Sequence, residues 1–309
     1  MGASQDQSEG YLVIAFDDGR YLDLAANLAL SVRRHDARPI SVVINKKVTF
    51  NPAYRELFDQ VIVAPDEPGI GGAMNKARLF GLTPYARSMY IDSDCLLFSP
   101  RIEFFWRKYR GHPIAVEGHK QSSGPAFGCS LGVKDAGALC RLFDVPYLTV
   151  FNSEVIYFDG SDAAKAAFDK TLAIYNGPHR DAVSYGYKHP GEYADEPFFA
   201  VALAQLGIAP FEPPLTNRLQ VTTPNLVDAV LDIDTGDLRV VKQQAGGKAQ
   251  LWSGVLCHFC GLAPMELYFP LADKLRAAVN LPQMERGMFQ PVVLTSQHHE
   301  SNVTGAIGA

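Results

Sequence analysis

The chain has 309 residues, a formal net charge of −5, and 47% hydrophobic and 20% charged residues. That balance excludes a disordered chain, whose apolar fraction would be too small to offset chain entropy, and a pI of about 5.9 argues against a general nucleic-acid binder. No apolar run is long enough to span a bilayer, MGASQDQSEG lacks the basic and apolar parts of a secretory leader, and five scattered cysteines (Cys95, Cys129, Cys140, Cys257, Cys260) make no disulfide framework, so a cytoplasmic protein with reduced thiols is expected.

Organisation begins at Tyr11. YLVIAF, residues 11–16, is a short continuous apolar run of the kind buried on both faces of a parallel sheet. A helix is predicted over 22–34, a second buried strand at ISVVI (40–44), a helix near 54–58 and a third strand at QVIVA (60–64). This alternation predicts an α/β fold of Rossmann type, with a mainly parallel mixed sheet flanked by helices. After the Gly-rich loop 65–72 come a short helix over 75–82 and a fourth strand at SMYI (88–91).

The later part is less regular. Strands are predicted at 114–118, 126–133, 151–159, 240–242 and 255–259, and helices at 163–174 and 195–206. The polar segment 176–192 reads as a functional loop. One domain over 11–282 is expected. Its first half, 11–100, would hold nucleotide and metal, and its second half, 101–282, sugar and acceptor. Residues 1–10 and 283–309 read as flexible tails.

The sharpest local feature is Asp92-Ser93-Asp94, directly after the fourth strand. Two carboxylates at a strand end in an open α/β sheet lie where ligands bind, and carboxylate oxygens suit Mg²⁺ or Mn²⁺. Taken alone, the pair reads more readily as loop carboxylates, one of them capping CLLF (95–98), since a lone D-x-D is common by chance. Lys76, shortly before that strand, could reach a phosphate as a point charge. C-H-F-C at 257–260 has no second pair to complete a zinc site, and PGIGG at 68–72 lacks the G-K-[ST] of a phosphate-binding P-loop.

NKARLFGLTPYARSMYIDSDCLLFSP resembles the corresponding stretch of glycogenin and its relatives in glycosyltransferase family eight, which have the GT-A fold. Four further segments match in order: YLVIAFDDGRYLDLAANLALSVRRH, FNSEVIYFDGS, the pair Asp195-Glu196, and Cys257-His258-Phe259-Cys260-Gly261 against an H-x-x-G element. The resemblance implies that Asp92, Asp94 and His258 coordinate Mn²⁺ or Mg²⁺. It implies that Ala15, Asp17 and Tyr21 line a base pocket, that Ser93 and Gly261 border the nucleotide, and that Lys76 contacts the donor. Asn152, Ser153 and Asp195 would bind the donor sugar, with Glu196 near its anomeric carbon.

The sequence departs from that pattern in three places. The lysine that usually follows H-x-x-G is absent from HFCGLAPME, for which Lys120, His119 or Arg180 could substitute. Glu154 stands where glycine is usual, able to crowd the sugar or to pair with a cation. Glu196 stands for the usual Gln, as a nucleophile or as a helix N-terminal carboxylate favoured by the dipole. The resemblance implies a metal-dependent retaining hexosyltransferase that uses a nucleoside-diphosphate sugar, a UDP-sugar, and a saccharide, lipid or protein acceptor. The alternatives are a sugar-nucleotide-binding or scaffold protein of the same fold without turnover and, ranked last, a nucleotidylyltransferase.

Overall fold

The computed structural model describes residues 8–126, 133–184, 193–243 and 247–289. The strands in chain order are β1 (Glu9–Ala15), β2 (Ile40–Ile44), β3 (Gln60–Val63), β4 (Arg87–Ile91), β5 (Cys95–Leu97), β6 (Ile114–Ala115), β7 (Gly118–Gln121), β8 (Leu148–Phe151), β9 (Val155–Asp159), β10 (Arg218–Thr222), β11 (Leu226–Asp232), β12 (Asp237–Gln243) and β13 (Ala249–His258). The α-helices are α1 (Gly19–His35), α2 (Leu79–Leu82), α3 (Ile102–Tyr109), α4 (Ala136–Phe143), α5 (Asp162–Tyr175), α6 (Arg180–Val183), α7 (Glu196–Gln205) and α8 (Met265–Ala277).

The main sheet has the order β3-β2-β1-β4-β9-β6. The first four strands run parallel, β9 is antiparallel to β4, and β6 is antiparallel to β9. The apolar run of β1 serves both faces: Tyr11, Val13 and Ala15 join one buried cluster with α1, whereas Leu12 joins a second cluster with α5 and α7. The chain leaves β1 through α1 to β2 on one side, while β4 lies on the other. That reversal opens a crevice at the carboxyl ends of β1 and β4.

A second sheet, ordered β10-β13-β12-β11, is built from the later part of the chain, and β5 joins it by pairing with β13. β13 is long enough to make two connections along one edge. Its first half pairs with β12 and its last residues pair with β5, so that His258 lies opposite Cys95. This register brings the end of β13 beside the Asp92–Asp94 turn.

Several expectations differ from the structure. Residues 151–159 are not one strand: β8 ends at Phe151 and β9 starts at Val155, with Asn152–Glu154 turning between two different sheets. Residues 72–78 form a 3-10 helix that continues into the single α-turn of α2. The strands β10 and β11 and the helices α3, α4 and α8 carry no strong sequence signal; β10 pairs with β13, 36 positions on, and β11 is the edge strand of its sheet. Residues 283–289 dock on the body, where Met284 is buried, Arg286 pairs with Asp273 and Phe289 packs on Phe269. Cys95, Cys140 and Cys257 are buried free thiols. The expected strand 126–133 falls mostly on residues 127–132, and loop residues 185–192, Cys129 and the segments 1–7 and 290–309 also lie outside the described residues. No helix among the described residues is long and apolar enough to cross a membrane.

Candidate active site

The Asp92–Asp94 turn is clamped by backbone on both sides. Asp92 N donates to Glu154 O at 2.8 Å, Cys95 N donates to Asp92 O at 3.1 Å, and Phe259 N donates to Asp94 O at 3.0 Å. The turn is thereby held between the start of β9 and the end of β13. One ligand atom each from Asp92, Asp94 and His258 lies within 4.8 Å of the others. Residues 164 positions apart in the chain thus meet at the carboxyl edge of the parallel strands. Two carboxylates and an imidazole facing one point suit a divalent cation such as Mn²⁺ or Mg²⁺.

The imidazole is held from both sides. His258 Nε2 lies 3.3 Å from Asp94 Oδ1 and Nδ1 lies 2.9 Å from Glu154 Oε1. Gln220 Nε2 in turn donates to Glu154 Oε2 at 3.3 Å and to Asn152 O at 3.2 Å. Glu154 therefore points away from the crevice and fixes the ring. Burial disfavours the imidazolium, yet Asp94 and Glu154 outweigh it and hold the His258 pKa well above the ordinary range. Burial likewise works against the Asp94 and Glu154 carboxylates, and the facing imidazolium lowers both. A proton on His258 thus balances the carboxylates where a cation would do so on binding.

Lys76 is carried by the 3-10 helix to the other side of Asp92. Its ammonium donates to Asp92 Oδ2 at 2.9 Å, Ser153 Oγ at 2.8 Å and Ser153 O at 3.3 Å. All three of its N–H donors have protein acceptors. Burial opposes its charge, but Asp195 and Asp92 hold its pKa well above the ordinary value. Tyr90, two residues before Asp92 on β4, donates its hydroxyl to Asp92 Oδ1.

Asp195 and Glu196 begin α7, a helix apolar around its whole circumference and buried nearly throughout. Glu196 Oε1 accepts from Ser153 N at 3.1 Å. Asp195 Oδ2 is buried and has no partner among the described residues. Burial raises both carboxyls; the charges of Asp195 and Glu154 push Glu196 further up, well above the usual range. The neutral form of Glu196 is thereby favoured, and a neutral acid offers one donor and one acceptor, as an amide does.

At the end of β1, Asp17 adopts a positive φ of 68°. Its Oδ1 accepts from Asn45 Nδ2 at 2.9 Å and from Lys47 Nζ at 2.8 Å, and Lys47 lowers its pKa. Tyr21 is exposed at the start of α1 and is close enough to Asp94 and Asp92 to feel their charge. Ala15, at the end of β1, is fully buried in the core. Ser93 is buried in the turn, Asn152 is exposed beside Ser153, and Gly261 is exposed at φ 62° just after His258. The structure does not bring the three suggested substitute cations onto the triad: Lys120 packs on Tyr147, His119 meets Gln121, and Arg180 stacks on Tyr175 and Tyr193. Sequence reasoning missed Gln220 and Tyr90, for which no motif gives a signal.

No family model matches the sequence, and no curated protein matches it. Among solved structures, the galactosyltransferase LgtC in complex with donor and acceptor sugar analogues is similar at a TM-score of 0.53 and 11% identity, over 91% of this chain and 100% of that one. Apo WbbM, a bifunctional glycosyltransferase, gives 0.48 and 13% identity over 71% of this chain; this chain spans 41% of its length. GlyE of Streptococcus pneumoniae TIGR4 gives 0.41 and 12% identity over 62% of this chain and 42% of that one. At these identities the likeness to LgtC shows the fold: the chain folds as a mixed α/β domain of the GT-A glycosyltransferase type.

Proposed function

We propose that the chain is a metal-dependent, retaining glycosyltransferase related to family eight, moving a hexose from a UDP-sugar to a saccharide, lipid or protein acceptor. The observation that carries this reading is the convergence of Asp92, Asp94 and His258 at the carboxyl edge of a GT-A sheet. A divalent ion bound there would supply Lewis-acid stabilisation of the charge that builds on a leaving diphosphate. Asp92, Asp94 and His258 Nε2 would hold it, with Nδ1–H donated to Glu154 to set the tautomer and ring plane. Asp17 and Tyr21 would flank the base on one side of the crevice, with Ser93 and Gly261 bordering the nucleotide.

Lys76 ties Asp92 to the Ser153 hydroxyl and so joins the metal side of the site to the sugar side. Asn152, Ser153 and Asp195 would hydrogen-bond the donor sugar. Asp195 Oδ2, buried and without a partner among the described residues, is an acceptor that a sugar hydroxyl would satisfy. Glu196, its carboxyl pushed up by burial and by the charges of Asp195 and Glu154, would orient the sugar face by hydrogen bonding. An oxocarbenium-like transition state gains from the nearby Asp195 carboxylate.

A second reading, a sugar-nucleotide-binding protein without turnover, is favoured by one observation: the Lys76 ammonium is engaged by Asp92 and Ser153, which draws it from direct phosphate contact. Assay of transfer and hydrolysis over a panel of nucleotide sugars, with Mn²⁺ or with excess chelator, separates the two. Product formed only with the metal supports the transferase. Calorimetric binding of UDP-sugar with no product supports the second reading, and full activity in chelator contradicts the metal-dependent one.

A further inference from the structure

The second sheet carries two cations that the metal centre does not use. Arg218 on β10 and Lys242 on β12 both lie against Trp252 of β13. The Arg218 guanidinium carbon is 5.0 Å and Lys242 Nζ 5.4 Å from the centre of the indole. Lys242 Nζ also donates to Thr222 Oγ1 at 3.0 Å, and Thr222 stands opposite His258 in the parallel register. Arg218, Gln220 and Thr222 alternate onto one face of β10, and Gln220 is the residue that holds Glu154. The two cations are therefore continuous with the support of the metal-site imidazole.

Their own chemistry is incomplete. Arg218, Lys242 and Trp252 are all half-buried, so they are partly stripped of water yet reachable from solvent. Carboxylates act on the two cations only at a distance, and none among the described residues forms an ion pair with either. Burial lowers the pKa of both. Trp252 Nε1 is shielded from solvent and has no acceptor among the described residues. Two partly desolvated cations without counter-ions are costly, and an oxygen anion that accepts from both removes that cost.

We infer that Arg218, Lys242 and Trp252 form an anion-binding subsite beside the metal centre, which takes the phosphate or carboxylate group of an acidic saccharide acceptor. The subsite lies on the second sheet, beyond Glu154 from the aspartate pair, in the half of the chain that the transferase reading gives to the acceptor. The choice of molecule rests on the transferase reading; the binding of an anion does not.

The difference in fluorescence between the wild type and Trp252→Phe cancels the signal of the fully buried Trp106 and reports occupancy. The protein in EDTA is titrated with glucose 6-phosphate, glucuronate and glucose, and the protein with Mn²⁺ is titrated with UDP. The acidic sugars are expected to bind and glucose not. Lys242→Met, which keeps the stem on the indole, and Arg218→Gln should each weaken the acidic sugars about ten- to a hundred-fold, with Lys242→Arg restoring most of the loss. Thr222→Val, which frees Lys242 without removing its charge, gives a smaller loss, and thermal melts establish that each variant is folded. Unchanged UDP affinity in these variants assigns the anion to the acceptor, whereas weakened UDP overturns that assignment in favour of the donor diphosphate. Acidic sugars that bind no better than glucose, or equally well to the folded variants, overturn the subsite. If UDP fails to bind the wild type while the acidic sugars still bind through Lys242, it is the transferase reading that fails.

Discussion

Glu154 shows how one side chain changes meaning with its surroundings. In the sequence it is a carboxylate in a glycine position, able to crowd a sugar or to pair with a cation. In the fold its Oε1 is 2.9 Å from His258 Nδ1 and its Oε2 is held by Gln220. Glu154→Ala is expected to weaken Mn²⁺ binding, followed by calorimetry or by the electron spin resonance of Mn²⁺, about ten- to a hundred-fold. Glu154→Gln, which still accepts Nδ1–H, should recover most of the affinity. Glu196 presents a related case. Because burial favours its neutral form, Glu196→Gln should keep kcat within a few-fold, whereas Glu196→Ala should lower it about a hundred-fold. A loss as large in the Gln variant would mark Glu196 as a nucleophile, since an amide cannot replace an ionised carboxylate in that role.

At the level of elements, the site depends on strand pairings that meet at one edge. β13 delivers His258 because its last residues pair with β5, and the break between β8 and β9 places Asn152, Ser153 and Glu154 at the crevice. The β7–β8 ribbon leading into that break contains Gly118, where an added Cβ would sit 1.9 Å from Val150 O. That carbonyl is backbone and cannot move aside without breaking the pairing. Gly118→Ala should therefore destabilise the protein on the order of 3 kcal/mol, measured by urea unfolding. Gly19→Ala, at the start of α1 with open space around its Cβ position, should stay within about 0.5 kcal/mol.

For the molecule as a whole, the edge of the main sheet opposite the crevice carries a charge network. Glu9, its side chain nearly buried, accepts from Arg38 at 3.0 Å, Arg87 at 3.1 Å and Arg110 at 2.7 Å. Burial opposes the Glu9 charge, but Arg110 and Arg38 outweigh it and lower the pKa. A carboxyl depressed in the folded state contributes stability fully above its unfolded value, about 4.3 for Glu, and loses it as pH falls through the folded value. Glu9→Gln should thus cost about 1–2 kcal/mol at pH 7, with Arg110 and Arg87 partly in solvent. The difference between wild type and variant should shrink as pH drops below about 4, as read from urea unfolding across pH 3–7.

The alternating apolar runs were enough to determine the early strands, α1, α5 and α7, and with them an α/β sheet whose carboxyl edge holds Asp92 and Asp94. These are short-range consequences of residue spacing, which is why they are written locally in the chain. The second sheet was largely illegible, because its strands carry mixed polar faces and β13 is tied to β10 and β5, which lie 36 and about 160 positions away. The resemblance implied that His258 meets the aspartates, and the structure brings them together; only the tertiary structure decided that Glu154 turns to the imidazole and that Lys76 spends its donors on Asp92 and Ser153. It alone placed Arg218 and Lys242 on Trp252. Each of these depends on where a side chain lands after strands pair, and pairing at long range is set by the packing of the whole core.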